Sequence, residues 1–203
     1  MTNITIEYLN YCKKHTNDYG KNIIVLLQVG AFFEMYGLKD NSGNIIGSRV
    51  EDICKICDLQ LSERSNMVCN DMPVLIGGFR DYSLDKYIQI ITNNNYTCFV
   101  YEQFEEEDNN KKFYRKLTNI YSKGTYFETS SENLNNIVMC IWIHKISNKI
   151  IFGVSHINIL TGQSFVYEYE ENYILSPTIV DDLERYLSIY RPNEIIVITN
   201  LKS

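Results

Sequence analysis

The stretch "QVGAFFEMYG", residues 28–37, sets two phenylalanines and a glutamate directly behind the apolar run "NIIVLLQV", residues 22–29. In an extended chain the side chains alternate, so Phe32 and Glu34 project from one face while Phe33 and Met35 project from the other. A helix would separate positions i and i+2 around its axis and destroy that pairing. The preceding run has strand length and is apolar throughout, which fits a strand covered on both faces. An extended reading therefore leaves an aromatic ring beside a carboxylate on one side of a strand. Such a pair suits a nucleobase, because the ring stacks on any base face and the carboxylate accepts a hydrogen bond at a base edge, or donates one when protonated. A negative group close to a polyanion also needs a compensating proton or partner. The competing reading is that Phe32 packs in a core and Glu34 is an ordinary solvated carboxylate.

Outward from this stretch, the chain alternates helical and extended patterns. "TIEYLNYCKKH" spaces Ile6, Tyr8, Leu9 and Cys12 for an amphipathic helix over residues 4–15, with His15 at its end complementing the dipole. "GNIIGSRVEDICKICDLQ" predicts a helix capped by Ser48, with Val50, Ile53, Cys54 and Cys57 on its apolar side. "MPVLIGGF" and "YTCFVYEQF" are strands, and between them "YSLDKYIQIITNNN" is a helix with Ser83 as its cap. The acidic run at residues 105–108 reads as a solvated loop, with docking of a basic partner as the alternative. A composition shift through "ETSSENLNN" divides the chain into residues 1–118, a linker at 119–136, and residues 137–203. Beyond the linker come three strands joined by tight turns at Ser147-Asn148 and Thr161-Gly162, a helix with Pro177 in its first turn, and the strand "EIIVITN". A meander, a crossover helix and a strand are how a ribonuclease-H-like core begins, and the expectation is that such a core is incomplete at residue 203. The fold class expected is α/β with mixed sheets.

The 203 residues are 45% apolar, enough for a packed core in one large or two small domains. No apolar run approaches the roughly 18–20 residues that cross a bilayer, so no membrane role is expected. Six cysteines in apolar or helical surroundings, without a secretory pattern ahead of them, predict reduced thiols in an intracellular protein. The Asn- and Ile-rich composition fits an AT-rich coding genome; within an intracellular setting the compartment is left open among viral factory, nucleus and organelle. The formal charge of −6 argues against strong general nucleic-acid binding, which depends on Lys and Arg neutralising phosphates.

Several motifs carry no chemistry. "CKIC" at 54–57 has the spacing of half a zinc site, but no second pair follows and both cysteines fall on the apolar side of the helix, so no metal site is expected. The strand "NIVMCIWIHKI" lacks the carboxylates of a two-metal nuclease. His144 and His156 have no nucleophile at useful spacing. No catalytic residue is therefore expected, and a hydrolase is the weakest class.

In order, these segments resemble the start of the MutS family of DNA mismatch-repair proteins. "GAFFE" is similar to the family's Gly-x-Phe-Tyr-Glu motif, "CDLQLSERSN" to its segment ending Leu-Thr-Lys-Arg, "MPVLIGGFRDYSLDKYI" to its Ile-Pro-Met-Ala-Gly-Val stretch and following helix, and "FVYEQ" to its Cys-Glu-Gln. "YSKGTYFE" is similar to its Thr-Pro-Gly-Thr linker and "SHINILTGQSF" to an Asp-x-Ser-x-Gly strand turn, with Asn158 where the family connector has Asp. The resemblance implies a mismatch-recognition domain followed by a connector domain. It implies that Phe32 wedges beside a mispaired base from the minor groove, that Glu34 hydrogen-bonds that base, and that Arg64 contacts the phosphate backbone. The implied partners are mismatched double-stranded DNA and a full-length MutS-like protein or a second copy. The sequence departs from the pattern at Phe33, at the insertion "KDNSGNIIGS", and around Arg80 to Tyr82. The family's ATPase carries a Gly-x4-Gly-Lys-Ser/Thr loop, and these 203 residues contain none, so ATP and Mg would belong to a part of the family outside this chain. The alternative function is a noncatalytic interaction module that no longer reads DNA.

Overall fold

The computed structural model describes residues 4–105, 113–126, 135–174 and 177–201. Contacts divide the chain into two units, Met1–Tyr126 and Phe127–Ser203.

In the first unit the elements run α1 (Ile4–Tyr19), β1 (Ile23–Val29), β2 (Phe32–Lys39), β3 (Ile45–Ile46), α2 (Val50–Ile56), β4 (Ser62–Cys69), β5 (Met72–Arg80), α3 (Leu84–Asn93), β6 (Thr97–Glu105) and β7 (Phe113–Tyr121). The strands form one mixed sheet in the order β4-β5-β2-β1-β6-β7, with β3 paired to the far end of β2. Among the described residues of this unit only β1 and β6 pair in parallel, joined in register from Ile23↔Thr97 to Leu27↔Tyr101. Helices cover both faces. On one, Tyr8 of α1 meets Tyr36 edge-on at 5.3 Å and His15 stacks on Phe99 at 3.8 Å. On the other, α2 lies against Gly37 and Gly77, and Tyr87 of α3 packs on Phe79 at 4.3 Å. This double cover is why β1 is buried without alternation from Ile23 to Leu27.

Gly77 lets α2 approach. A Cβ there would lie under 3.0 Å from the Cys54 sulfur, and one on Gly37 would strike Val50 at 2.7 Å. "CKIC" is thus packing material: Cys54 and Cys57 are buried, and burial pushes their thiols up to about 11 and about 12.

Three local expectations change. His15 does not end its helix, which continues to Tyr19. It is 3% exposed, bonded through Nε2 to the Tyr101 hydroxyl at 2.8 Å, and burial lowers its pKa, so it is a core imidazole and not a dipole partner. Ser83 makes no capping bond; a short 3₁₀ turn, Asp81–Ser83, leads into α3, and Asp81 Oδ1 accepts the Tyr82 N–H at 2.8 Å. The segment 119–121 is strand and not linker, because β7 pairs with β6 as far as Tyr121↔Cys98. Within the insertion, Asp40 Oδ1 accepts the N–H groups of Ser42 and Asn44, both at 2.8 Å, and turns the chain into β3. Of the acidic run 105–108, residues 106–108 lie outside the described residues, as does most of "ETSSENLNN".

In the second unit, β8 (Ile137–Ile146), β9 (Lys149–Asn158) and β10 (Ser164–Asn172) form a meander, followed by a 3₁₀ turn (Pro177–Val180), α4 (Asp181–Tyr190) and β11 (Glu194–Thr199). The sheet order is β10-β9-β8-β11, with β11 parallel to β8. Met139, Ile141, Ile150, Phe152, Val154 and Leu183 make its core. Asn158 closes the turn after β9, its Oδ1 accepting the N–H groups of Leu160 and Thr161 at 3.1 and 3.3 Å. His156 is 5% exposed and bonded through Nδ1 to the Tyr186 hydroxyl at 2.8 Å.

Candidate nucleic-acid interface

The extended reading of residues 32–35 fixes the site. Gly30 and Ala31 form a two-residue hairpin turn between β1 and β2, closed by the pair Val29↔Phe32. Gly30 has φ of +58°, the left-handed value that a II′ hairpin needs at its first central position. Phe32 therefore begins its strand at the tip of the hairpin, and it is 42% exposed. Phe33 turns the other way, 3% exposed against Phe79.

A hydrogen-bond frame steadies this tip. Gln103 Oε1 accepts the Gly30 N–H at 3.3 Å, while the Gln103 N–H donates to Gln28 Oε1 at 2.9 Å. Arg115 Nε donates to the Gln28 carbonyl at 2.8 Å, and its guanidinium pairs with Glu7 of α1 at 3.6 Å. On the other side, the Asp81 N–H donates to the Ala31 carbonyl at 3.0 Å.

Arg80 sits directly across from Phe32 in the β2–β5 register, and its guanidinium lies 5.6 Å from the ring centroid, within cation–π range. An exposed ring is thereby joined to an exposed cation. Glu34, two residues on and on the same face, points its carboxylate between strands. Its Oε2 accepts a hydrogen bond from the Tyr36 hydroxyl and lies 3.7 Å from Arg64 Nη1. The Glu34 side chain is 15% exposed and that of Arg64 45%. The Glu34 carboxylate thus has an arginine and a tyrosine of the same sheet as partners.

Phe32, Glu34 and Arg64 therefore share one face of the sheet, with Glu34 and Arg64 in contact. Sequence reasoning did not find three of their neighbours. Tyr36 was within reach, since it stands at i+2 from Glu34 and a strand puts it on the same face. Arg80 and Arg115 come from β5 and β7, and only the strand register brings them to the tip.

A family model, MutS domain I, matches residues 9–130, which hold the whole of the first unit's sheet and all of α1 but its first residues, 4–8. The chain belongs to the MutS family. Relatives include a mutS homolog, L359, of Acanthamoeba polyphaga mimivirus, 22% identical over 94% of this chain and 17% of its own length. The DNA mismatch repair protein MutS of Thermodesulfovibrio yellowstonii is 27% identical over 87% of this chain and 18% of its own length. The DNA mismatch repair protein MSH3 of Meyerozyma guilliermondii is 30% identical over 59% of this chain and 12% of its own length. The chain thus spans less than a fifth of these MutS relatives. The site residues Phe32, Glu34 and Arg64 all fall in the part matched as MutS domain I, whose mixed α/β architecture is the sheet described above. Among the described residues no group of three His, Cys, Asp or Glu side chains is placed to hold a metal ion.

Proposed function

We propose that this chain is the mismatch-recognition module of a MutS-like protein, in which Phe32 wedges beside a mispaired base and Glu34 hydrogen-bonds that base. The observation that carries the reading is the exposed Phe32 ring at the hairpin tip, on the same face as Glu34 and against the Arg80 cation. A ring that is already solvated and already framed costs little to insert into a base stack. Base stacking on such a ring contributes about 1–3 kcal/mol. The wedge is easiest to drive where the duplex is poorly stacked, so a mispair is favoured through its deformability. Arg80, and Arg64 once drawn from Glu34, supply the cations for neighbouring phosphates that a net charge of −6 does not supply elsewhere.

In this reading the module is not an enzyme; ATP and Mg act in another part of the assembly. The second unit serves as the opening of a ribonuclease-H-like connector, supported by its order β10-β9-β8-β11 with β11 parallel to β8. The partners are mismatched duplex DNA and a full-length MutS-like protein or a second copy. The test is equilibrium binding of the chain to a duplex with one mispair and to its matched counterpart. The mismatched duplex binds more tightly and Phe32→Ala removes the difference; equal binding of both by the unaltered chain refutes the proposal.

A second reading, an interaction module that has ceased to read DNA, is favoured by the apolar strand β11, where Ile195, Ile196, Val197 and Ile198 are all exposed. It predicts capture of a MutS-like partner that is indifferent to changes at Phe32 and Glu34.

A further inference from the structure

The carboxylate of Glu34 has two oxygens, and the sheet treats them differently. Both of its described partners, the Tyr36 hydroxyl and Arg64 Nη1, address Oε2. Tyr36 lies on β2 itself, its ring fully buried and wedged edge-on against Tyr8 of α1, so its hydroxyl has little freedom. Arg64 reaches in from β4, two strands away, at an ion-pair distance too long for a direct hydrogen bond. One contact comes from a buried ring; the other is long and carried by an exposed side chain.

We infer that Tyr36 is the positioning residue of Glu34, holding Oε2 so that Oε1 is left as the acceptor presented to a base, with Arg64 as the exchangeable second partner. The inference rests on the proposed recognition role of Glu34. A free carboxylate rotates about its last bond and presents either oxygen over a wide arc. Pinned through one oxygen by a buried hydroxyl, it offers the other along a single direction, which is what selection for one base-edge donor requires. Burial, and then the Glu34 contact, push the Tyr36 hydroxyl well above the usual tyrosine range, so it remains a donor at neutral pH. Arg64 then has a different task from that of a fixed phosphate contact. It neutralises Glu34 in the free protein, and can turn to the backbone when a base donor takes over.

Tyr36→Phe removes only the hydroxyl and keeps the ring against Tyr8, and its effect on folding is read from the melting temperature. In the DNA-free chain, the ¹³C signal of the Glu34 side-chain carboxyl is expected to shift on Tyr36→Phe; an unmoved signal overturns the inference and leaves the recognition role standing. With duplex DNA, Tyr36→Phe is expected to lower the preference for the mispaired duplex about three- to tenfold, the range of one net hydrogen bond, and to add nothing once Glu34→Ala is present. A merely structural role would give losses that add in the double variant, and that result also overturns it. An unaltered preference in Glu34→Ala itself refutes the recognition role of Glu34, and the inference with it.

Discussion

Phe32 and its neighbour Phe33 differ by one position and end in opposite environments, one 42% exposed and the other 3%. The alternation that separates them is a property of extended backbone alone, which is why it was legible in ten residues of sequence. Alternation gives the face of Tyr36 but not its burial: α1 covers that face, so the side that is open at Phe32 is closed two positions beyond Glu34. His15 gives the opposite lesson. Its place near a helix end suggested a charged partner for the dipole, but four further residues of helix and the Phe99 ring make it a buried neutral group. Burial lowers its pKa from 6.5, with Lys14 adding to the effect. Between the folded value and 6.5 the unfolded chain binds the extra proton, so His15 contributes stability above that window and loses it as pH falls through it. An NMR titration of the folded chain is expected to place the His15 midpoint below 6.5, and a midpoint at or above 6.5 would contradict its burial as the cause.

At the scale of elements, the strands missed in the sequence are the two at the ends of the large sheet and the two-residue β3, which lies in a stretch read as the start of a helix. β4, "SERSNMVC", and β7, "FYRKLTNIY", are edges with one side toward solvent, so neither carries the apolar run that marks β1 and β6. The charges that hid them are the ones the site uses, Arg64 on β4 and Arg115 on β7. Central elements were legible because they are buried on two faces; edge elements were not, because their pairing is fixed by partners far away in sequence. The fit of α2 on the sheet is equally nonlocal. Gly77→Ala forces a Cβ against the Cys54 sulfur and is expected to destabilise the chain by about 1–3 kcal/mol in chemical denaturation, as overpacking does. Adding Cys54→Ala removes the obstructing sulfur and is expected to recover much of that loss, whereas additive losses would show that the contact is not the cause.

For the whole molecule, the net charge of −6 and the MutS membership pull in opposite directions, and the proposed recognition role would reconcile them locally. Arg64 and Arg80 stand around one exposed ring and one carboxylate; on the proposed reading, discrimination is concentrated at this hairpin tip, and general affinity for DNA comes from elsewhere in a larger assembly. The first compact unit ends at Tyr126, and that end was not legible in the sequence, since β7 looks like polar linker until its register with β6 is known. On the proposed reading the chain senses how readily a duplex bends, through one benzyl group pushed between base steps. Fluorescence energy transfer between dyes at the two ends of a short duplex reports that bend directly. Binding of the chain is expected to raise transfer in a duplex carrying a central mispair, to leave the matched duplex unchanged, and to lose this effect with Phe32→Ala; equal bending of both duplexes, or bending that survives Phe32→Ala, would contradict it.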